Sequence, residues 1–484
     1  VTAVLLLLLS ACGPKTVAPP VAAAAPVLAP TRTTMPGPLA PRDFQIPDPV
    51  EGTLRNGMRV VVVENHEVPL VYVNIAFKSG AWTDPAGKPG LASVTMDMLN
   101  EGAGGMSAAE LSSAARELGA NVGASAGQDG AAVSASCLKD ELPGTLALMA
   151  QVLLHPDFPQ ADWELMRKKR LQDLAAARND PRSIASRTWA VLGYGDQYEG
   201  HLTTEAAYKS ITTKDMRAWY AANLAPRHAI LTVGGDVSLD EIQPLLDQAL
   251  GGFITKGKDL PALPQVARLP VQAPTRIYLV DKPGAAQSVL RVGRFVGSRT
   301  DPDYSAFDLA NEAMGGMFTA RINMNLREDK GWTYGAWAWV SDDYLPGRWQ
   351  VGTSVVTPAT VDAVKEILRE VDDARGARPF TQDELDNGRG YLLGTLPLRF
   401  ENPGTLMGET TDIWRYGLPA DWLTARPAHL RAVSLEQAQA AWNARIDPDH
   451  LSVLVVGDAA TVREGLVATG LPVVDMLPDG KPAR

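Results

Sequence analysis

Residues 314–340 read MGGMFTARINMNLREDKGWTYGAWAWV. The pattern is a helix end, a Gly315-Gly316 break, a second helix through Leu326 and Arg327, a stop at Gly331, and then a strand. Glycine just past the last helical turn ends a helix, and the aromatic-rich run that follows favours strand. Side chains alternate across a strand, so the spacing predicts Tyr334 on one face with the small Ala336 and Ala338, and Trp337 and Trp339 on the other. A tyrosine beside two alanines, with tryptophans packed behind it, leaves room for something to lie against its hydroxyl. Arg327, at the helix end, is placed to converge on the same space. The plainer reading is a half-buried strand tyrosine and a solvated charge that complements the helix dipole. These residues alone leave both readings open.

Outward from this stretch, the chain reads as a duplication. Gly80-Ala81-Trp82-Thr83-Asp84-Pro85 is matched by Gly297-Ser298-Arg299-Thr300-Asp301-Pro302. Ile211-Thr212-Thr213, Trp219 and Pro226-Arg227-His228 are matched by Val433-Ser434-Leu435, Trp442 and Pro448-Asp449-His450, again about 220 residues on. Two homologous domains are expected, at residues 48–259 and 275–473, with a Pro-rich linker at 260–274 and a tail at 474–484. In the first, residues 59–64 and 71–78 read as strands, followed by helices at 90–100 and 107–118, the latter opened by a Ser107/Glu110 capping box. A small-residue strand pair at 123–137, helices at 142–154 and 162–178, and a closing strand at 229–234 complete it. Strand pairs followed by helices predict an α+β layer, a sheet with helices on one face.

Composition suits a large globular chain: 484 residues, 45% hydrophobic and 21% charged. A net charge of −10 argues against nucleic acid or an anionic membrane surface as the main partner. The two cysteines, Cys12 and Cys137, are too far apart in sequence to make a disulfide framework. Residues 4–9 are an apolar run too short to span a bilayer, and Leu9-Ser10-Ala11-Cys12 resembles a bacterial lipobox. Residues 1–12 are therefore expected to be a lipoprotein signal peptide, with Cys12 the lipidated residue. No basic region precedes the apolar run, so the true start is expected at Val1 read as an alternative start, or upstream. Residues 13–47, rich in Pro and Ala, read as a stiff tether. By the resemblance to lipoproteins, Gly13 after the cysteine is compatible with outer-membrane sorting, and a lipid-anchored body in the periplasm is expected.

The order of motifs over residues 48–473 resembles the pitrilysin/insulinase-like metallopeptidases. That resemblance implies two α/β-sandwich domains of the mitochondrial-processing-peptidase-like metallohydrolase fold, forming half of a clamshell. Active members carry His-x-x-Glu-His on a helix after a Gly-Leu-Ala turn, with two zinc-binding histidines and a glutamate as general base. Here Gly90-Leu91-Ala92 is followed by Ser93-Val94-Thr95-Met96-Asp97, so both histidines are missing and Met96 stands at the base position. The later third-ligand position falls on Asp173. Ser93, Asp97 and Asp173 offer too few oxygens for a calcium or magnesium cage and no imidazole for zinc. No paired metal spacing links the six histidines, and no metal or cofactor is expected on this chain.

The opening stretch, by contrast, matches the family's second-domain motif Leu-Arg-Glu-x-x-Gly-x-x-Tyr at Leu326-Arg327-Glu328, Gly331 and Tyr334. The resemblance gives Tyr334 the scissile carbonyl or its oxyanion and Arg327 a substrate backbone carbonyl. It implies a substrate-binding subunit, inactive alone, that works as a heterodimer with a zinc-bearing chain on peptides or unfolded segments. The alternative is a non-enzymatic scaffold or peptide-binding lipoprotein of the same fold.

Overall fold

The computed structural model describes residues 44–254, 259–260, 262–263, 273–341 and 344–483. Cys12, the leader, nearly all of the expected tether and most of the 260–274 linker lie outside them. The first sheet contains β1 (Val50–Thr53), β2 (Arg59–Glu64) and β3 (Leu70–Phe77), then, after a two-residue ladder of β4 (Gly102–Ala103) and β5 (Met106–Ser107), β6 (Asn121–Ala126), β7 (Ala131–Leu138) and β8 (Ala229–Gly235). The second contains β9 (Arg276–Asp281), β10 (Gln287–Gly297), β11 (Thr333–Val340), β12 (Gly347–Val356), β13 (Ser452–Gly457) and β14 (Val473–Met476).

Strand order is β1-β2-β8-β3-β7-β6 in one sheet and β11-β12-β10-β13-β9-β14 in the other. Read backwards, the second repeats the first over five strands; the sixth differs, β1 pairing antiparallel with β2 and β14 parallel with β9. β9 and β13 pair parallel as β2 and β8 do, and the next three neighbours pair antiparallel in both. The repeat seen in the sequence is therefore a repeat of topology, and it makes β6 and β11 equivalent edges.

Each sheet buries one face under its own helices. The first core centres on Phe77, Met96, Met98, Leu153 and Trp163. In the second, Trp442 is ringed by Trp349 at 5.4 Å, Phe380 at 5.5 Å and Phe307 at 6.0 Å. Edge-to-face and offset aromatic pairs of this kind add about 1 kcal/mol each beyond area burial.

The expectation of helices on one face needs correction, because each domain lends a helix to the other's second face. Helix Pro181–Tyr194 lays Ile184, Ala185 and Trp189 on Val280, Val289, Leu454 and Val456 of the second sheet. Helix Pro403–Tyr416 returns the exchange, packing Leu406 and Met407 beside Val63 and setting Trp414 against Val61, Ala76 and Ile230. Both helices start the same way: an Asx cap followed by proline, whose missing N–H costs nothing at a helix start. Asp180 accepts from Ser183 N at 2.7 Å and Asn402 from Gly404 N at 2.8 Å. A one-domain periodicity count cannot show this swap, because neither helix's apolar face names the sheet it covers.

The seam is polar at defined points. Arg348 of β12 is buried over the Trp189 ring, 3.5 Å from its centroid, and donates to Trp189 O. Desolvation lowers its guanidinium to about 9. Asp129, at the β6–β7 tip, accepts from Tyr344 N at 2.8 Å, from Tyr416 Oη at 3.2 Å and from Tyr198 Oη.

Candidate functional site

Helix Leu91–Leu99 starts at Gly90, whose φ of 95° is open to glycine at little cost. Asp84 fastens that start, accepting from Gly90 N and Ala92 N at 2.7 Å each. Burial nevertheless pushes its carboxyl up to about 6. Met96 is fully buried in the first core, so the side chain at the family's base position does not face a cleft. Ser93 and Asp97 are part-buried. Asp97 pairs with Arg170, and burial raises its carboxyl while the guanidinium opposes the shift. Arg170 lies on helix Gln160–Ala177, one turn before the exposed Asp173.

This donor set does not fit zinc. Its one part-buried carboxylate is engaged by a fixed guanidinium, with Lys169 adding positive charge, and no imidazole is present. Among the described residues no group of three or more His, Cys, Asp and Glu side chains is arranged to hold a metal ion. Arg170 escaped the sequence reading because 73 positions separate it from Asp97.

The second domain carries its motif on unusual backbone. Helix Tyr304–Asn311 widens into a π-helical turn, Glu312–Gly316. After a break, Arg321–Asn323 widens again into Met324–Asp329, which carries Arg327. Such wide turns recur at functional sites. Gly331, at φ 65°, reverses the chain into β11, and hydrogen bonds from Gly331 N to Arg327 O and Trp332 N to Leu326 O, both 3.0 Å, tie the reversal. The helix end, break, second helix, stop and strand all stand where the sequence put them.

The facing of Tyr334 does not. Thr333 pairs with Val355, but the next paired residue, Ala336, faces Thr353, so three steps on β11 match two on β12. This bulge takes Tyr334 out of the alanine row. Ala336 and Ala338 enter the core, while Tyr334 is 93% exposed, beside Trp337 at 41% and Trp339 at 37%. The tryptophans are thus exposed beside the tyrosine and do not back it. Bulges re-aim side chains in this way.

Asn323 fixes the bulge from behind. Fully buried, it accepts from Ala336 N at 3.1 Å and donates to Phe318 O at 2.7 Å. Thr353 Oγ1 donates to Gly335 O at 2.9 Å, and Thr333 Oγ1 accepts from Gly335 N at 3.1 Å. Gly315 lets the preceding turn lie against β11, since a Cβ there would come within 2.5 Å of Ala338 Cβ. The bulge was signalled in the sequence only by Gly335 following Tyr334.

Arg327 sits on the other side of the same reversal. Its guanidinium lies 4.5 Å from the Phe318 ring centroid and 3.2 Å from a Glu328 carboxylate oxygen. In this state it rests on Phe318, where the sequence expected convergence on the tyrosine. Behind it, Arg321 forks onto Glu384 at 2.6 Å and Asn325 donates to Glu370 at 2.7 Å, anchoring the wide turn to neighbouring helices.

Two family models match the chain: "Insulinase (Peptidase family M16)" over residues 59–200 and "Peptidase M16 inactive domain" over residues 210–392. The chain belongs to the M16 family. An uncharacterized zinc protease of Streptomyces coelicolor is 24% identical to it, over 79% of this chain and 85% of that protein. A non-peptidase homolog from Helicobacter pylori is 21% identical, over 82% and 91%. Among solved folds, a peptidase M16 inactive domain from Pseudomonas fluorescens superposes with a TM-score of 0.77 at 24% identity, covering 85% of this chain and 98% of its own. The periplasmic protease PqqL from Escherichia coli superposes at 0.71 and 17% identity, with 87% of this chain covering 46% of that larger one. These likenesses agree with the two-domain M16 fold drawn from the sequence.

Proposed function

We propose that this M16 chain is the zinc-free, substrate-binding subunit of a two-chain peptidase. Its second domain presents Tyr334 and Arg327 to a partner that carries His-x-x-Glu-His, and its substrates are peptides or unfolded segments. One asymmetry carries the reading. The first domain's motif position is closed by buried Met96 and the Asp97–Arg170 pair, whereas Tyr334 stands 93% exposed on an edge strand.

The chemistry follows from the side chains. A phenol whose backbone is set by a bulge donates to a carbonyl oxygen as it gains negative charge, and once substrate and partner enclose it such a donor contributes about 100-fold in rate. The Arg327 fork donates to a neighbouring backbone carbonyl and fixes the register of an extended substrate. The H. pylori relative described as a non-peptidase homolog supports the loss of independent activity, and the periplasmic E. coli neighbour supports an envelope location. Lipid anchoring through Cys12 at the outer membrane completes the proposal.

Affinity purification of the tagged chain from its own envelope fraction tests it, with the eluate assayed on an unstructured peptide. A co-purifying His-x-x-Glu-His chain, with chelator-sensitive cleavage absent from the isolated subunit, is the expected result. A chain that purifies alone and never cleaves peptide overturns it in favour of a scaffold.

A further inference from the structure

On the face of the second sheet that helix Pro181–Tyr194 partly covers, a part-buried arginine is left unused by the proposed chemistry. Arg291 on β10 stands directly across from Gly352, which stands across from Trp337. Its guanidinium lies over the Trp339 ring, 5.1 Å from the centroid. Gly352 makes the notch that accommodates it, because a Cβ there would come within 1.9 Å of Arg291 Nη1 and 2.7 Å of the Trp339 ring. Among the described residues Arg291 has no ion pair and no hydrogen-bond partner. Partial burial lowers its pKa, and no carboxylate opposes the shift.

A guanidinium stripped of part of its water and given no carboxylate is costly unless something completes it. Its donors suit a planar bidentate acceptor. The surroundings define what could bring one. β11 is a sheet edge whose outer side pairs with nothing among the described residues, and its exposed side chains are Tyr334, Trp337 and Trp339. An extended polypeptide fits such an edge, gaining main-chain hydrogen bonds along it and side-chain contacts on its face. Where the strand begins, Arg327 lies on Phe318 with Glu328 at 3.2 Å and Lys330 lies on Trp332 with Glu366 at 3.9 Å, so those cations have carboxylates beside them and Arg291 does not.

We infer that Arg291, seated in the Gly352 notch against Trp339, is a carboxylate-binding subsite for an extended peptide lying along β11. The inference rests on the peptide-binding reading above and gives it a specificity. The carboxylate is either the peptide's C-terminus or an Asp or Glu side chain, and both present the same bidentate acceptor.

Fluorescence anisotropy on the full chain separates the outcomes, using three labelled peptides of one neutral extended sequence. One is C-terminally amidated, one amidated with a single Glu, and one has a free C-terminus. At least one carboxylate-bearing peptide should bind about ten-fold more tightly than the neutral amide. That advantage should vanish in Arg291→Gln and be partly kept in Arg291→Lys, with thermal unfolding confirming that both variants fold. An advantage confined to the free terminus identifies the C-terminal carboxylate, and one that follows Glu identifies a side chain. Equal binding of all three peptides overturns the carboxylate subsite but leaves peptide capture standing. An advantage that survives Arg291→Gln overturns the assignment to Arg291. Failure of every peptide to bind overturns both the subsite and the capture reading.

Discussion

The two sheets end in equivalent edge strands, and the sequence has treated the two ends in opposite ways. Beside β6, the helix at the family's metal motif holds Met96 in the core and spends Asp97 on Arg170. Beside β11, two π-helical turns, a bulge and a buried asparagine push an aromatic hydroxyl into solvent. One topology thus carries a closed site and an open one. Here the exposed edge is built on irregular backbone with a buried asparagine behind it, and the sealed helix on an apolar side chain and an ion pair.

That contrast is easiest to break at Met96. If the motif helix is sealed, Met96→Glu buries an unpaired acid and should cost about 3 kcal/mol in chemical denaturation. An unchanged midpoint would mean that the site still opens to water.

Glu312 lies on the open side. It is buried at the start of the π turn, near Asp308 and Arg426, and its carboxyl is pushed up to about 7, chiefly by desolvation. Its folded pKa lies above the ordinary 4.5, so the native state binds more protons between those values. Stability therefore falls as pH rises through that window, and Asp84 acts likewise between 3.8 and about 6. Glu312→Gln should gain about 2 kcal/mol at pH 8 and nothing below its unfolded pKa. A gain independent of pH would contradict the assignment.

Smaller again is Asn323→Ala, which strands the buried Ala336 N–H and should cost about 1.5 kcal/mol in urea denaturation. It should also weaken activity of an assembled complex by loosening the bulge. Tyr334→Phe removes an exposed hydroxyl, so its melting temperature should match the parent, with a stability change below about 0.5 kcal/mol. A large shift there would make Tyr334 a structural residue.

Much of this was legible in the chain. Helix 142–154 matches Leu142–Leu154, the Ser107/Glu110 capping box forms, and the repeated Gly-x-x-Thr-Asp-Pro and Pro-x-His anchors fall at equivalent points of equivalent sheets. These are local patterns, set by nearby residues. Tyr334 was misassigned because a period of two has no way to count a bulge. Arg170, Asn323 and Arg291 went unseen because each acts through a contact with a strand or helix distant in sequence or across a turn. Two arginines, Arg291 and Arg294, interrupt the apolar run Val289–Val296, and nothing local distinguishes the first from the second.

On the proposed function, the open half of this asymmetric pair completes another chain's site. Turnover of an unstructured peptide by the assembled two-chain complex tests it most directly, comparing the parent with Tyr334→Phe and Arg327→Ala. Tyr334→Phe should lower kcat about 100-fold and Arg327→Ala should mainly raise KM, with assembly intact in both. Unchanged kcat and KM in both variants would contradict it.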